Sequence, residues 1–147
     1  MTTDRDFQIA CDRALTDGIN RLGLEFGIVS RIEDELYEVF CVVSQTNVFQ
    51  KGEKFPLQLT YCREVFSKNK TIALTEIEGI PGLAMHPLYM PMALEAYIGS
   101  PIINGSRVWG TINFTSMRVR AQAFSEEEKR FVEDAAYQLG KLIEVGH

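Results

Sequence analysis

Tyr97-Ile98-Gly99-Ser100-Pro101-Ile102-Ile103-Asn104-Gly105-Ser106-Arg107-Val108-Trp109-Gly110-Thr111-Ile112-Asn113-Phe114-Thr115 reads as two strands and the turn between them. Tyr97–Ile103 and Val108–Thr115 are rich in β-branched and aromatic residues, which fit a pleated, half-buried surface. Asn104-Gly105 is the strongest hairpin signal in the chain, because both residues accept positive φ. Gly99 and Gly110 inside the strands predict close packing or a bulge.

Downstream, residues 116–124 form a connection, and Ser125-x-x-Glu128 is a capping box. Glu126, Glu127 and Glu128 complement the positive end of a helix there, and Phe131, Val132, Ala135, Ala136, Leu139, Leu142 and Ile143 make one apolar stripe along it. Upstream, Thr71–Leu74 is a short strand. Residues 75–95 hold Pro81, Pro87, Pro91, Gly79 and Gly82, which predict a loop. That loop is unusually apolar, with Ile80, Leu83, Met85, Leu88, Tyr89, Met90 and Met92, so it must cover either the core or a ligand. Leu59, Cys62, Val65 and Phe66 predict a short helix over 57–68, ended by Asn69 or Lys70. Residues 45–56 are polar, close with Pro56 and read as a loop.

A second hairpin lies nearer the N-terminus. Phe26, Ile28, Ser30 and Ile32 alternate with their neighbours, Glu33-Asp34-Glu35 is a charged turn, and Leu36–Ser44 is the returning strand. Before it, Thr3-x-x-Asp6 resembles a capping box. Phe7, Ala10, Cys11, Ala14, Leu15 and Leu22 recur at helical spacing, and Gly23 is the stop. Tight connections make antiparallel hairpins, so the fold class is α+β, one antiparallel sheet with helices on its faces.

The chain has 147 residues, 46% hydrophobic and 24% charged, with no repeat and no linker-like stretch, which predicts one domain over residues 1–147. A net charge of −5 argues against a nucleic-acid surface. The longest apolar run, Val39–Val43, is too short to insert in a membrane, and the charged N-terminus lacks a signal-peptide core, so a cytoplasmic location is expected. Cys11, Cys41 and Cys62 are odd in number and form no CxxC pair. They make a poor disulfide or zinc framework and read as buried free thiols.

Several segments together resemble the GAF domain, and most closely the GAF sensors of bacterial histidine kinases and cyclic-di-GMP enzymes. They are Leu59-Thr60-Tyr61-Cys62, His86-Pro87-Leu88-Tyr89, Glu95-Ala96-Tyr97-Ile98-Gly99-Ser100-Pro101-Ile102, Trp109-Gly110-Thr111-Ile112-Asn113-Phe114-Thr115-Ser116 and Phe124-Ser125-x-x-Glu128. The resemblance implies a sheet of five or six antiparallel strands. The first and last helices would lie on one face, with a small-molecule pocket under a short helix and loop on the other. It implies a sensory or regulatory role toward an attached or partner output module, such as a histidine kinase or cyclic-di-GMP enzyme.

Bilin photoreceptors of this family attach pigment through a loop cysteine. Met85 precedes His86 here and residues 70–103 hold no cysteine, which argues against covalent bilin. His86 is the only internal histidine, and beside Pro87 it reads as structural rather than as a haem ligand. Of the family's cyclic-nucleotide signature, Asn113 and Phe124 match. Phe114 replaces the lysine, and Glu128-Lys129 stands for Asp-Glu, so that ligand class loses its ion pair. Asn113 then reads as a strand residue satisfying a neighbouring loop. The enzyme alternative is the GAF-fold free methionine-(R)-sulfoxide reductase, but its redox cysteines lie near the pocket, and the cysteines here do not match. Arg118 and Arg120 read as an anion site or as solvated charges. No nucleophile set, phosphate loop or metal spacing is present, so no catalysis is expected.

The expected ligand site takes Tyr61, Cys62 and Phe66 from the short helix, Met85, His86, Tyr89 and Met92 from the loop, and Tyr97 from the fourth strand, with Asn113 beside them. Aromatic walls with polar tips suit a small molecule. The terminal helices are expected to pair two copies as a homodimer. A ligand-free dimerisation module remains the other reading of the same pattern.

Overall fold

The computed structural model describes residues 4–44, 50–57, 65, 69–74 and 95–146, with side chains except at residues 4 and 144–146. The elements are α1 (Asp4–Leu22), β1 (Phe26–Glu33), β2 (Leu36–Ser44), β3 (Lys54–Pro56), β4 (Ile72–Leu74), β5 (Ala96–Asn104), β6 (Arg107–Ser116) and α2 (Glu126–Gly146). The strands form one six-stranded sheet in the order β3-β2-β1-β6-β5-β4. Each neighbouring pair is antiparallel. The two sequence-legible hairpins thus lie side by side, joined through β1 and β6. No helix among the described residues is long and apolar enough to cross a membrane.

Both hairpin turns are tight. Glu33 pairs with Leu36, so the loop is Asp34-Glu35 alone, with φ of 53° and 63°. Positive φ at both central residues is the type I′ pattern, whose twist matches the flanking strands. The second turn lies one residue later than expected. Asn104 pairs with Arg107, and Gly105-Ser106 make the loop, with positive φ (67°) at Gly105 alone. That is the type II′ pattern, in which glycine takes the first central position and Asn104 stays extended. A second correction concerns residues 45–56, expected as loop throughout. Lys54–Pro56 pairs with Leu36–Glu38 as a short edge strand, where proline's missing N–H faces no partner.

Each hairpin carries a bulge. On β2, Val29 pairs with Cys41 and Ser30 with Val39, so Phe40 is the extra residue. On β6, Ile102 pairs with Gly110 and Ile103 with Val108, so Trp109 is extra. Both extra side chains turn toward α1 and meet Phe7. The Phe7–Phe40, Phe7–Trp109 and Phe40–Trp109 ring centroids are 5.4, 5.5 and 5.5 Å apart, the last two pairs edge-on. Such pairs add about 0.5–1.5 kcal/mol each beyond the apolar area they bury. Gly110, next to the bulge, has no room for a side chain, because a Cβ would overlap the Ser30 carbonyl.

One sheet face carries both helices. Phe7, Cys11 and Leu15 of α1 and Val132, Ala136, Leu139 and Ile143 of α2 are buried there with Val29, Ile98, Ile102, Ile112 and Phe114. α1 ends where expected: Gly23 takes φ 70° and its N–H bonds the Ile19 carbonyl at 2.9 Å. The α2 capping box closes reciprocally. Glu128 N–H donates to Ser125 Oγ at 3.0 Å, and Ser125 N–H to the Glu128 carboxylate at 2.8 Å. The far face holds a second cluster of Phe26, Ile28, Ile32, Tyr37, Val39, Leu57, Val65 and Tyr97. Of the helix expected over 57–68, Leu57 and Val65 are described, and both are buried in this cluster. The rest of that helix, the loop over 75–94 and the Thr3 cap lie outside the described residues.

Candidate functional site

Register places a ladder of polar side chains on the far face. In one row, Phe26 pairs with Thr115, Thr115 with Tyr97 and Tyr97 with Leu74. In the next, Ile28 pairs with Asn113, Asn113 with Gly99 and Gly99 with Ile72. In the third, Ser30 pairs with Thr111, which also pairs with Pro101. Directly paired residues share a face. Ser30, Thr111, Asn113 and Thr115 therefore project together into surroundings otherwise made of Ile, Phe, Val and Tyr, and all four are buried, at 0%, 0%, 4% and 3% exposure.

These four groups are not equally satisfied. Ser30 Oγ and Thr111 Oγ1 are 2.6 Å apart, and Thr111 N–H donates to Ser30 Oγ at 3.2 Å. Asn113 Oδ1 and Thr115 Oγ1 have no hydrogen-bond partner among the described residues. A buried polar atom left unpaired costs about 1–3 kcal/mol. Among the described residues, Asn113 Oδ1 meets no loop backbone group of the kind the sequence had suggested.

Tyr97 borders the same two rows. Its ring leans along β5 over Gly99, and its hydroxyl stands 2.5 Å from where a Gly99 Cβ would be. Gly99 is the vacancy that lets the Tyr97 ring lie flat beside Asn113's row.

Of the sequence-predicted site residues, the structure places Tyr97 and Asn113 on adjacent strands of this face. Tyr61, Cys62, Phe66, Met85, His86, Tyr89 and Met92 lie outside the described residues. Ser30, Thr111 and Thr115 were missed, although period-two alternation from Ile28 and from Asn113 would have put them beside it.

Elsewhere most polar groups are matched internally, although Arg120 Nη1 is a third buried atom with no hydrogen-bond partner among the described residues. Arg120 Nη2 is taken up by Glu128, donating to both carboxylate oxygens at 2.7 Å, and the guanidinium lies 4.1 Å from the Phe124 ring centre. Burial pushes the Glu128 carboxyl up, but the Arg120 and Ser125 hydrogen bonds outweigh it and hold the pKa below its ordinary value. A cavity of about 760 Å³ opens between the β5 edge and α2, lined in part by Thr71, Ser100, Glu133 and Tyr137. Its hydroxyls are chained: Thr71 Oγ1 is 2.5 Å from Ser100 Oγ and donates to Glu133 at 2.7 Å. Nothing there asks for a ligand as Asn113 and Thr115 do. Among the described residues no cluster of three or more His, Cys, Asp or Glu could hold a metal.

Comparison with known proteins gives the same architecture. The family model described as GAF domain matches residues 6–143. The cyanobacteriochrome receptor PixJ is similar at TM-score 0.78 and 18% identity, with 95% of this chain and 96% of that chain covered. The blue-light-absorbing form of the Thermosynechococcus elongatus PixJ GAF domain is similar at 0.75 and 18%, covering 96% and 89%. The GAF domain of an Acinetobacter phosphoenolpyruvate-protein phosphotransferase follows at 0.72 and 12%, covering 94% and 79%. No match was found among curated protein sequences.

Proposed function

The chain belongs to the GAF domain family, and from that premise we propose that it binds a small molecule on the far sheet face and reports occupancy to an output module through α1 and α2. A sensory or regulatory role is supported by the family and by its photoreceptor and signalling-protein neighbours. The observation that carries the finer reading is the pair of buried, unpartnered oxygens, Asn113 Oδ1 and Thr115 Oγ1. An amide oxygen only accepts, so the ligand must offer at least one N–H or O–H. The ligand class is therefore a hydrogen-bond-donating small molecule, with Tyr97 as an aromatic wall.

The proposal assigns binding and not turnover. Cys11 and Cys41 lie on the helix-bearing face, across the sheet from Asn113, so neither lines the proposed site. The output module is proposed to be a signalling enzyme such as a histidine kinase or cyclic-di-GMP enzyme. Native mass spectrometry of protein purified without denaturation, with an absorbance scan beside it, tests the reading. The expected result is a bound small mass, lost in Asn113→Leu. Bare protein from every preparation would overturn it in favour of a ligand-free module.

Homodimerisation belongs to the same proposal. The α2 stripe is not consumed by the sheet. Phe131, Ala135 and Leu142 are only partly buried and line, with Ala10 and Ala14 of α1, an apolar groove of about 270 Å³ between the helices. A second copy crossing this groove would bury it. Analytical ultracentrifugation should show a dimer, and monomer alone at high micromolar concentration would contradict it.

A further inference from the structure

The β2 bulge has a chemical consequence. In an unbroken strand Tyr37, Val39 and Cys41 would share a face. The extra residue Phe40 reverses the alternation, so Tyr37 and Val39 point to the far face while Cys41 points to α1. There its thiol meets Cys11. The two are buried, at 2% and 0% exposure, and are not joined as a disulfide. Each thiol's titration is governed first by its contact with the other. Cys41 Sγ also donates to Gln8 Oε1 at 2.9 Å, and Gln8 lies one turn before Cys11 on the same helix face. Two thiols distant in sequence are thus held in one polar chain inside an apolar core.

The pair is asymmetric. The hydrogen bond from Cys11 holds the Cys41 thiol below its ordinary pKa, against the effect of burial and of the Asp12 charge, and Lys51 assists. Cys11 is pushed well up, first by its contact with Cys41 and then by burial. The shared contact thus favours a single thiolate in the pair and disfavours a second. A more ionisable thiol next to a resolving thiol is the arrangement that oxidises reversibly. No third metal-binding side chain joins the two among the described residues.

We propose that Cys11 and Cys41 are a peroxide-sensitive dithiol that closes to an intramolecular disulfide and fixes α1 covalently to β2. The oxidant is a hydroperoxide, small and uncharged enough to enter when the first turns of α1 open locally. The Cys41 thiolate attacks one peroxide oxygen and breaks the O–O bond, giving a sulfenic acid and hydroxide. The Cys11 sulfur attacks the Cys41 sulfur, the S–S bond forms, and the sulfenic oxygen leaves as water with the Cys11 proton. Two thiols and one hydrogen peroxide become one disulfide and two waters. A thiol reductant returns the pair, as a sensing disulfide in a reducing compartment requires. This inference is independent of ligand binding, since the thiols lie on the opposite sheet face from Asn113.

Reduced full-length protein is treated with hydrogen peroxide, its remaining thiols are alkylated after unfolding, and it is digested without reductant. The expected products are a cross-linked peptide pair holding Cys11 and Cys41, lighter by two hydrogen atoms, and alkylation at Cys62 alone. Dithiothreitol should reverse the cross-link, and the oxidised protein should melt at higher temperature with slower amide exchange in α1. Alkylation of both Cys11 and Cys41 after peroxide would overturn the proposal, as would a disulfide that includes Cys62 or joins two chains. Unfolded reduced chain, treated identically, is the control: the same cross-link yield there would show that the fold does not direct the pairing.

Discussion

Glu35 holds φ 63° in the β1–β2 turn, next to Asp34 at 53°. A left-handed backbone costs a residue with a Cβ about 1–2 kcal/mol, and glycine avoids it. The Glu35 side chain can be dispensed with, whereas its carbonyl accepts the Leu57 N–H at 2.8 Å, a bond glycine keeps. Glu35→Gly should therefore stabilise the protein by about 0.5–1 kcal/mol. Urea unfolding should show a higher midpoint at unchanged slope, and a lower midpoint would mean that the carboxylate itself supports the turn. Gly99 is the opposite case. There the missing side chain makes room for Tyr97, and the sequence announced that close approach through a glycine inside a strand.

The start of α2 illustrates how an element can be read in advance. Ser125-x-x-Glu128 is local, so its geometry follows from four consecutive residues, while Arg120, which completes it, comes from the preceding connection. Glu128 titrates below its unfolded value of 4.5, so its contribution is complete above that value and is lost as pH falls through the folded one. Glu128→Gln should cost about 1–2 kcal/mol at neutral pH. Thermal melts should show this gap narrowing below pH 4.5, and a gap unchanged down to pH 3 would contradict a stabilised carboxylate. Features that depend on pairing between distant residues were less legible. The Asn104-Gly105 turn slipped by one residue because pairing of Asn104 with Arg107 decides which residues stay extended. β3 was invisible because three residues carry no periodicity, and only the β2 edge makes them a strand. The bulge at Phe40 bears no local mark either, whereas Gly110 signalled the one at Trp109. Both extra side chains pack against Phe7 of α1, a contact between residues distant in sequence.

At the scale of the whole molecule, the sheet separates two tasks. One face packs α1 and α2 and holds the Cys11–Cys41 pair, and the other presents the polar ladder. The family resemblance and the hairpins made that division legible, and Tyr97 and Asn113 were picked out from the strands. Thr115 was not, because a threonine in a strand is ordinary until register and burial show that its hydroxyl has no partner. The thiol pair stayed hidden because an unbroken alternation assigns Cys41 to the wrong face. The central claim is that Asn113 Oδ1 and Thr115 Oγ1 are kept for a ligand at the expense of the empty fold. Its most direct test is thermal unfolding of the Asn113→Leu/Thr115→Val double variant beside wild type. Both proteins are first refolded from denaturant to strip bound molecules. Near-isosteric apolar side chains remove the unpaired oxygens, so the ligand-free double variant should melt several degrees higher, about 2–4 °C for each kcal/mol recovered. A double variant that melts lower than wild type would show that the two groups hold the fold together, and would contradict the account.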